Sequence, residues 1–135
     1  LDHLTIYLAI AGTYTSVFAA GLEAPWNYLS IIMIWGLCGW GAKYKYKHIG
    51  ENEVFSVLLY LFLGWVGLFV FGVTDSESIR EAFDLILAGG VLYTVGTIFY
   101  YRDFIKYNHT VWHLFVLAAS IIHYYAIWNY FIVAQ

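Results

Sequence analysis

Two histidines one helical turn apart stand at the start of a long uncharged segment, in the run HTVWH from His109 to His113. An α-helix advances about 1.5 Å and turns about 100° per residue, so the two imidazoles share a face and lie about 6 Å apart along the axis. With this spacing, one helix can offer two nitrogens to a single Zn²⁺ at about 2.0 to 2.1 Å. The motif therefore predicts a metal site with His109 and His113 as ligands.

The same pair also has a simpler interpretation, because ionisable side chains at a membrane boundary can reach out to water. Spacing alone leaves both interpretations open. His123 follows His113 by about 15 Å along the axis, too far to complete the same site, and we expect it to be a hydrogen-bonded packing residue. Cys38 is the single cysteine, so it predicts a buried thiol rather than a disulfide or a cysteine metal site.

The amino-acid composition is that of a membrane protein, and it predicts the helices on which these residues lie. Apolar residues make up 62% of the 135 residues and charged residues 11%, against about 25% charged in soluble domains. Uncharged runs of a length that spans a bilayer as helix recur along the chain. They predict an all-α, polytopic transmembrane helix bundle in a single domain, with five spans at residues 3–22, 26–43, 54–74, 83–101 and 107–133.

The orientation follows from the charged loops between these spans. Of the six Lys and Arg residues, all but Arg80 fall in loops 43–53 and 102–108, on the same side as the start of the chain. Because cytoplasmic loops carry the excess of positive charge, we expect a cytoplasmic start and a C-terminus outside. The chain has no basic stripe of the kind that binds nucleic acid, so no nucleic-acid partner is expected.

This topology brings the starts of the first and fifth spans to one face of the membrane. Asp2 and His3 then lie at a depth similar to that of the HTVWH pair. A polar cluster of Asp2, His3, His109 and His113 becomes possible there. His3 points about 100° away from Asp2 on the helix, so we expect it to have a supporting or packing role.

Three segments resemble the haemolysin III family, bacterial relatives of the progestin and adiponectin Q receptors: LDHLTIYLAIAGTYTSV, GGVLYTVGTIFYY and HTVWHLFVLAASIIHYYAI. The resemblance implies helices three to seven of a seven-helix membrane protein with a cytoplasmic N-terminus, in the bacterial cell membrane. It implies zinc held by His109, His113 and a third histidine from a helix upstream of Leu1. It also implies that Asp2 contacts the metal-bound water.

A zinc ion with one coordination position left open lowers the pKa of the water bound there to about 7, and it can polarise a carbonyl. Our leading hypothesis is therefore a zinc-dependent integral membrane hydrolase of an amide or ester in a lipid-like substrate, with Asp2 orienting or deprotonating the water. The wider superfamily's resemblance to ceramidases points the same way. The alternative is a non-enzymatic, receptor-like or membrane-homeostasis protein with a structural zinc. A pore-forming haemolysin is the weaker alternative, because these spans offer few polar side chains to line a pore.

Overall fold

The computed structural model describes residues 2–48, 50–51, 53–71, 77–101 and 106–133, and within these the side chains of all but residues 2, 3, 53 and 69–71. The described residues are almost entirely helical and include no strand, which confirms the all-α transmembrane class. The helices are α1 (Asp2–Gly21), α2 (Trp26–Lys47), α3 (Glu53–Phe71), α4 (Glu77–Tyr101) and α5 (Asn108–Ile127), the last continued by a π-helix at Trp128–Val133.

Three of these helical segments are long and apolar enough to cross a membrane: Leu4–Gly21, Glu77–Tyr101 and Asn108–Val133. In α3 the apolar part is shorter, Val54–Leu68, within the residues that the structure describes. α2 carries Asn27 and three lysines as well as Trp, Tyr and Gly residues, and these lower its mean hydropathy. The number and bounds of the spans therefore stay a prediction.

Two helices extend into segments that the sequence predicted to be loops. α2 continues to Lys47, past the predicted span end at residue 43, and α4 begins at Glu77, ahead of residue 83. Backbone hydrogen bonding does not stop at a charged side chain. Lysines in a last turn and a glutamate in a first turn interact favourably with the helix dipole, so the charged side chains do not mark the helix ends here.

The chain forms two compact units, Leu1–Arg80 and Glu81–Gln135, which are described separately. In the first unit α1 packs against both α2 and α3. Each helix buries residues at alternating intervals of four and three, the spacing of one helical face. These residues are Tyr7, Ala11, Tyr14 and Phe18 on α1, Ile34, Cys38, Gly41 and Lys45 on α2, and Ser56, Tyr60, Leu63 and Gly67 on α3.

Two glycines allow close contacts between helices in this first unit. A Cβ at Gly41 would overlap the ring of Tyr7, so α1 and α2 can pack this tightly only because Gly41 has no side chain. Tyr7 also contacts Tyr60 of α3, ring to ring, with centroids 4.9 Å apart. Small residues commonly allow such close backbone approach between membrane helices.

The hydroxyl of Tyr14 on α1 forms two hydrogen bonds with the backbone of α3. It donates a hydrogen bond to the carbonyl of Gly64 and accepts one from the N–H of Gly67, 2.9 Å away and buried. A Cβ at Gly67 would overlap the Tyr14 ring. The hydroxyl can therefore reach the backbone of α3 only because residue 67 is glycine. The ring itself stacks on Phe18 at a centroid distance of 5.2 Å. One side chain thus supplies both packing and polar contacts between two helices.

In the second unit α4 and α5 pack through side chains spread along their length. A Cβ at Gly96 would come within 2.8 Å of the Cβ of Phe115, and the Phe115 ring stacks on Phe99 with centroids 5.4 Å apart. Further along the pair, the hydroxyls of Tyr93 and Ser120 are hydrogen-bonded at 2.7 Å. This pairing of α4 with α5 positions the residues of the HTVWH motif.

Candidate metal centre

The imidazoles of His109 and His113 meet on the exposed surface of the first turns of α5. Their Nε2 atoms lie 3.0 Å apart, and the two rings are nearly perpendicular, with centroids 4.6 Å apart. α5 begins at Asn108, which is buried, so the pair stands directly at the start of the helix. The helical spacing therefore brings two ring nitrogens together on one face of α5, as expected from their interval of four, and their role as metal ligands stays a prediction.

This geometry fits two ligands of one tetrahedral metal ion. Two nitrogens each about 2.0 to 2.1 Å from a tetrahedral zinc are about 3.3 to 3.4 Å apart, only a few tenths of an ångström more than the 3.0 Å observed. Without a metal, one Nε2 must carry the proton that the other accepts, because two lone pairs would repel. Metal binding would require both Nε2 atoms to be free of protons, with the proton of each neutral ring on Nδ1.

Aromatic rings surround the inner side of the histidine pair. The Trp112 ring lies 4.5 Å from that of His113 and 5.3 Å from that of His109, measured between centroids, and Trp112 is only 4% exposed. Tyr100 of α4 contacts Trp112 at 5.1 Å and His109 at 6.2 Å. The two histidines are thus covered by aromatic rings on the side that faces α4, and they remain exposed on the opposite side.

The other two predicted members of the polar cluster, Asp2 and His3, cannot be placed relative to the histidine pair. Asp2 and His3 lie in the first turn of α1, but their side chains are outside the described part of the chain. Among the residues that the structure does describe, no group of three His, Cys, Asp or Glu side chains is placed to hold a metal ion. The role of Asp2 and the third ligand upstream of Leu1 therefore stay predictions.

His123 has a different role from the pair. Its Nε2 lies 3.0 Å from the carbonyl oxygen of Ile86 on α4. A carbonyl only accepts, so this nitrogen must carry a proton and donate. The imidazole lies directly over Gly89, where a Cβ would overlap it. His123 is therefore a hydrogen-bonded packing residue between α4 and α5, as expected from its distance along the helix.

The burial of Trp112 and of Lys45 was not predicted from the sequence. Trp112 stands inside the HTVWH motif, three residues after His109, a spacing that brings side chains together on a helix. Lys45 was counted with the other basic residues of loop 43–53 as an orientation signal, yet it is only 5% exposed, while Lys43 and Lys47 are exposed. Its interval of four from buried Gly41 was the available signal.

Comparisons with known proteins agree on one family. The family described as "Haemolysin-III related" matches residues 1–124. The protein Hemolysin-3 of Bacillus cereus is 35% identical over 130 residues, which cover 96% of this chain and 59% of that protein. The Hemolysin-3 homolog of Bacillus subtilis (strain 168) is 33% identical over 120 residues, covering 89% of this chain and 56% of the homolog.

An animal protein matches over a similar range. The human monocyte to macrophage differentiation factor is 30% identical over 140 residues, covering 96% of this chain and 53% of the human protein. The chain thus spans a little more than half the length of these curated relatives. No solved structure matches it.

Proposed function

The chain belongs to the haemolysin III family of membrane proteins, and from that premise we propose that it forms part of a zinc-dependent integral membrane hydrolase. Its substrate is an amide or ester of a lipid-like molecule. The observation that carries the proposal is the 3.0 Å approach of the Nε2 atoms of His109 and His113. Two neutral imidazoles in this arrangement are ligands that zinc prefers.

His109 and His113 would hold the metal, together with a third histidine that the family resemblance puts upstream of Leu1. Zinc with an open position supplies a Lewis acid and a water acidic enough to act near neutral pH. Asp2, at the start of α1, would orient the attacking water and take its proton. The exposed face of the histidine pair leaves a side from which a lipid carbonyl can approach.

We place the protein in a bacterial cell membrane with the start of the chain cytoplasmic and the C-terminus outside. The support is the distribution of Lys and Arg residues, which favours loops 43–53 and 102–108. The site would then open near the cytoplasmic face, where the substrate is a lipid of the inner leaflet.

The metal is tested by measuring zinc content and affinity of the purified protein. His109→Ala and His113→Ala should each weaken zinc binding strongly, because each removes one of few ligands. His123→Ala is the matched control: it removes a third imidazole of the same helix, one that is committed to the Ile86 carbonyl. Equal loss of zinc from all three variants would contradict the assignment.

The reaction is tested by mass spectrometry of lipid products formed from mixed amide- and ester-linked lipids. Asp2→Ala should abolish turnover while zinc is retained, because the carboxylate acts on water rather than on the metal. Asp84→Ala is the matched control, since Asp84 is an exposed carboxylate on α4. Turnover unchanged by Asp2→Ala would exclude the proposed role of Asp2.

A second function is favoured by the human relative, whose name describes cell differentiation rather than an enzyme. In that case the histidine pair would hold a structural zinc in a receptor-like or membrane-homeostasis protein. Zinc that stabilises the fold while no lipid is turned over would decide for it. The name of the bacterial relatives raises a pore-forming haemolysin as a third candidate, which would show leakage from vesicles without hydrolysis.

A further inference from the structure

We infer that Trp112, backed by Tyr100, is a positioning residue for the histidine pair. Its indole holds the two imidazoles in the orientation in which their Nε2 atoms converge. The inference deepens the proposed function and rests on it in one respect only, which is that His109 and His113 bind a metal.

The first observation is that Trp112 contacts both histidines. Its ring centroid lies 4.5 Å from that of His113 and 5.3 Å from that of His109. Trp112 is 4% exposed, whereas both histidines are exposed. A buried indole is the rigid member of this group of three rings, so it fixes the more mobile ones rather than the reverse.

Helix geometry explains why the indole covers one side of the pair. At about 100° per residue, His113 lies about 40° from His109 in one direction and Trp112 about 60° from it in the other. Trp112 therefore stands beside the pair, toward α4, and leaves the opposite side open. A metal ion can therefore reach the two Nε2 atoms from that open side.

The indole is itself held from the neighbouring helix. Tyr100 of α4 lies 5.1 Å from Trp112 and 6.2 Å from His109, centroid to centroid. The aromatic wall of Tyr100 and Trp112 is thus built from both helices of the second unit. One turn further along, α4 and α5 meet again where Gly96 faces the Cβ of Phe115, an atom that a leucine at position 115 would keep.

The physical role of the wall is to remove rotamers that would separate the two nitrogens. An imidazole on an open helix surface samples several side-chain rotamers, and a metal must then immobilise two of them at an entropic cost. Packing against the indole restricts these rotamers before the metal arrives. Hydrogen-bonded partners that orient metal ligands typically contribute about 10- to 100-fold to metal affinity or activity, and we expect packing that fixes the same orientation to contribute a similar factor.

The test compares Trp112→Leu and Trp112→Phe in the purified protein. Zinc affinity is measured by competition with a chelator, and ligand geometry by the absorption spectrum of bound Co²⁺. Trp112→Leu should weaken zinc about 10- to 100-fold and alter the Co²⁺ spectrum, with saturation still reached at high metal. Trp112→Phe should recover most of the affinity and the parent spectrum, because it restores a flat ring.

Phe115→Leu is the matched control for a general loss of packing. It removes an aromatic ring that stacks on Phe99 of α4, in the same helix and on the same side as Trp112. It should lower stability while leaving zinc affinity and the Co²⁺ spectrum unchanged. A loss of affinity in Phe115→Leu equal to that in Trp112→Leu would overturn the inference.

Two further outcomes separate this inference from the proposed function. Zinc bound equally tightly by Trp112→Leu and the parent, while His109→Ala loses it, refutes the positioning role and leaves the metal site standing. Tight zinc in His109→Ala refutes both. Should Trp112→Leu fail to fold, Tyr100→Leu carries the test, since it removes the support of Trp112 and His109 together. Its zinc affinity should fall severalfold, and unchanged affinity would refute the inference.

Discussion

Adding a single methyl group at Gly89 should separate α4 from α5 near the middle of the pair. A Cβ at this position would overlap the imidazole of His123. The same imidazole is hydrogen-bonded at 3.0 Å to the carbonyl of Ile86, one turn away on α4. In Gly89→Ala, therefore, either the ring leaves its acceptor or the two helices move apart.

The size of the effect follows from these two contacts. Overpacking a tight contact costs about 1 to 3 kcal/mol, and a side-chain hydrogen bond between membrane helices contributes about 0.6 kcal/mol on average and up to about 1.7. Because either response alone relieves the overlap, Gly89→Ala should lower the free energy of unfolding by about 1 to 3 kcal/mol. Gly36→Ala should cost nothing, because a Cβ at Gly36 meets no atom within 4 Å.

A double-mutant cycle makes this prediction specific to His123. In Gly89→Ala combined with His123→Ala, the new methyl occupies space that the imidazole has left. The double variant should then be more stable than the sum of the two single losses by about 1 to 3 kcal/mol. The assay is equilibrium unfolding in mixed detergent micelles. Strictly additive losses, or a Gly89→Ala variant as stable as Gly36→Ala, would refute the packing argument.

Two further outcomes are expected. Tyr14→Phe removes the hydroxyl that bonds Gly64 and Gly67, and should destabilise the protein by about 1 to 3 kcal/mol in the same assay; exposed Tyr28→Phe should be neutral, and equal effects would contradict the role of the Tyr14 hydroxyl. A cysteine at Lys47 should react with reagents from the cytoplasm, whereas a tag after residue 135 should be detected outside; labelling in the opposite sense would overturn the orientation proposed from the positive charges.

The helical class could be predicted because it depends on composition alone. A bilayer leaves no water for exposed backbone groups, so uncharged runs of this length form helices. The ends of α2 and α4 could not be taken from the same rule. Charge marks where the bilayer ends, but a helix continues for as long as its backbone bonds and its dipole allow, as it does to Lys47.

The histidine pair could be predicted because His109 and His113 belong to one helix, and local geometry fixes the distance between them. The aromatic wall depends instead on which residue of α4 lies opposite α5. Nothing in the sequence identifies Tyr100 as that residue. The Tyr14 hydroxyl is a similar case, since its two partners lie fifty residues or more away on α3. Contacts between helices thus marked the limit of what the sequence predicted.

The histidines of the α4–α5 pair lie at two separate levels along the helices. The histidine pair and Trp112 occupy the first turns of α5, and His123 lies about 15 Å beyond His113 along the axis. Changes separated by more than about 7 to 10 Å usually add without coupling. The Nε2 atoms of the pair stand 3.0 Å apart at the first level, so changes at His109 should act mainly on metal affinity, whereas changes at Gly89 should act mainly on the packing at the second level. Because the two levels act separately, stability can change at Gly89 without a loss of metal, and metal can be lost at His109 without separating the helices.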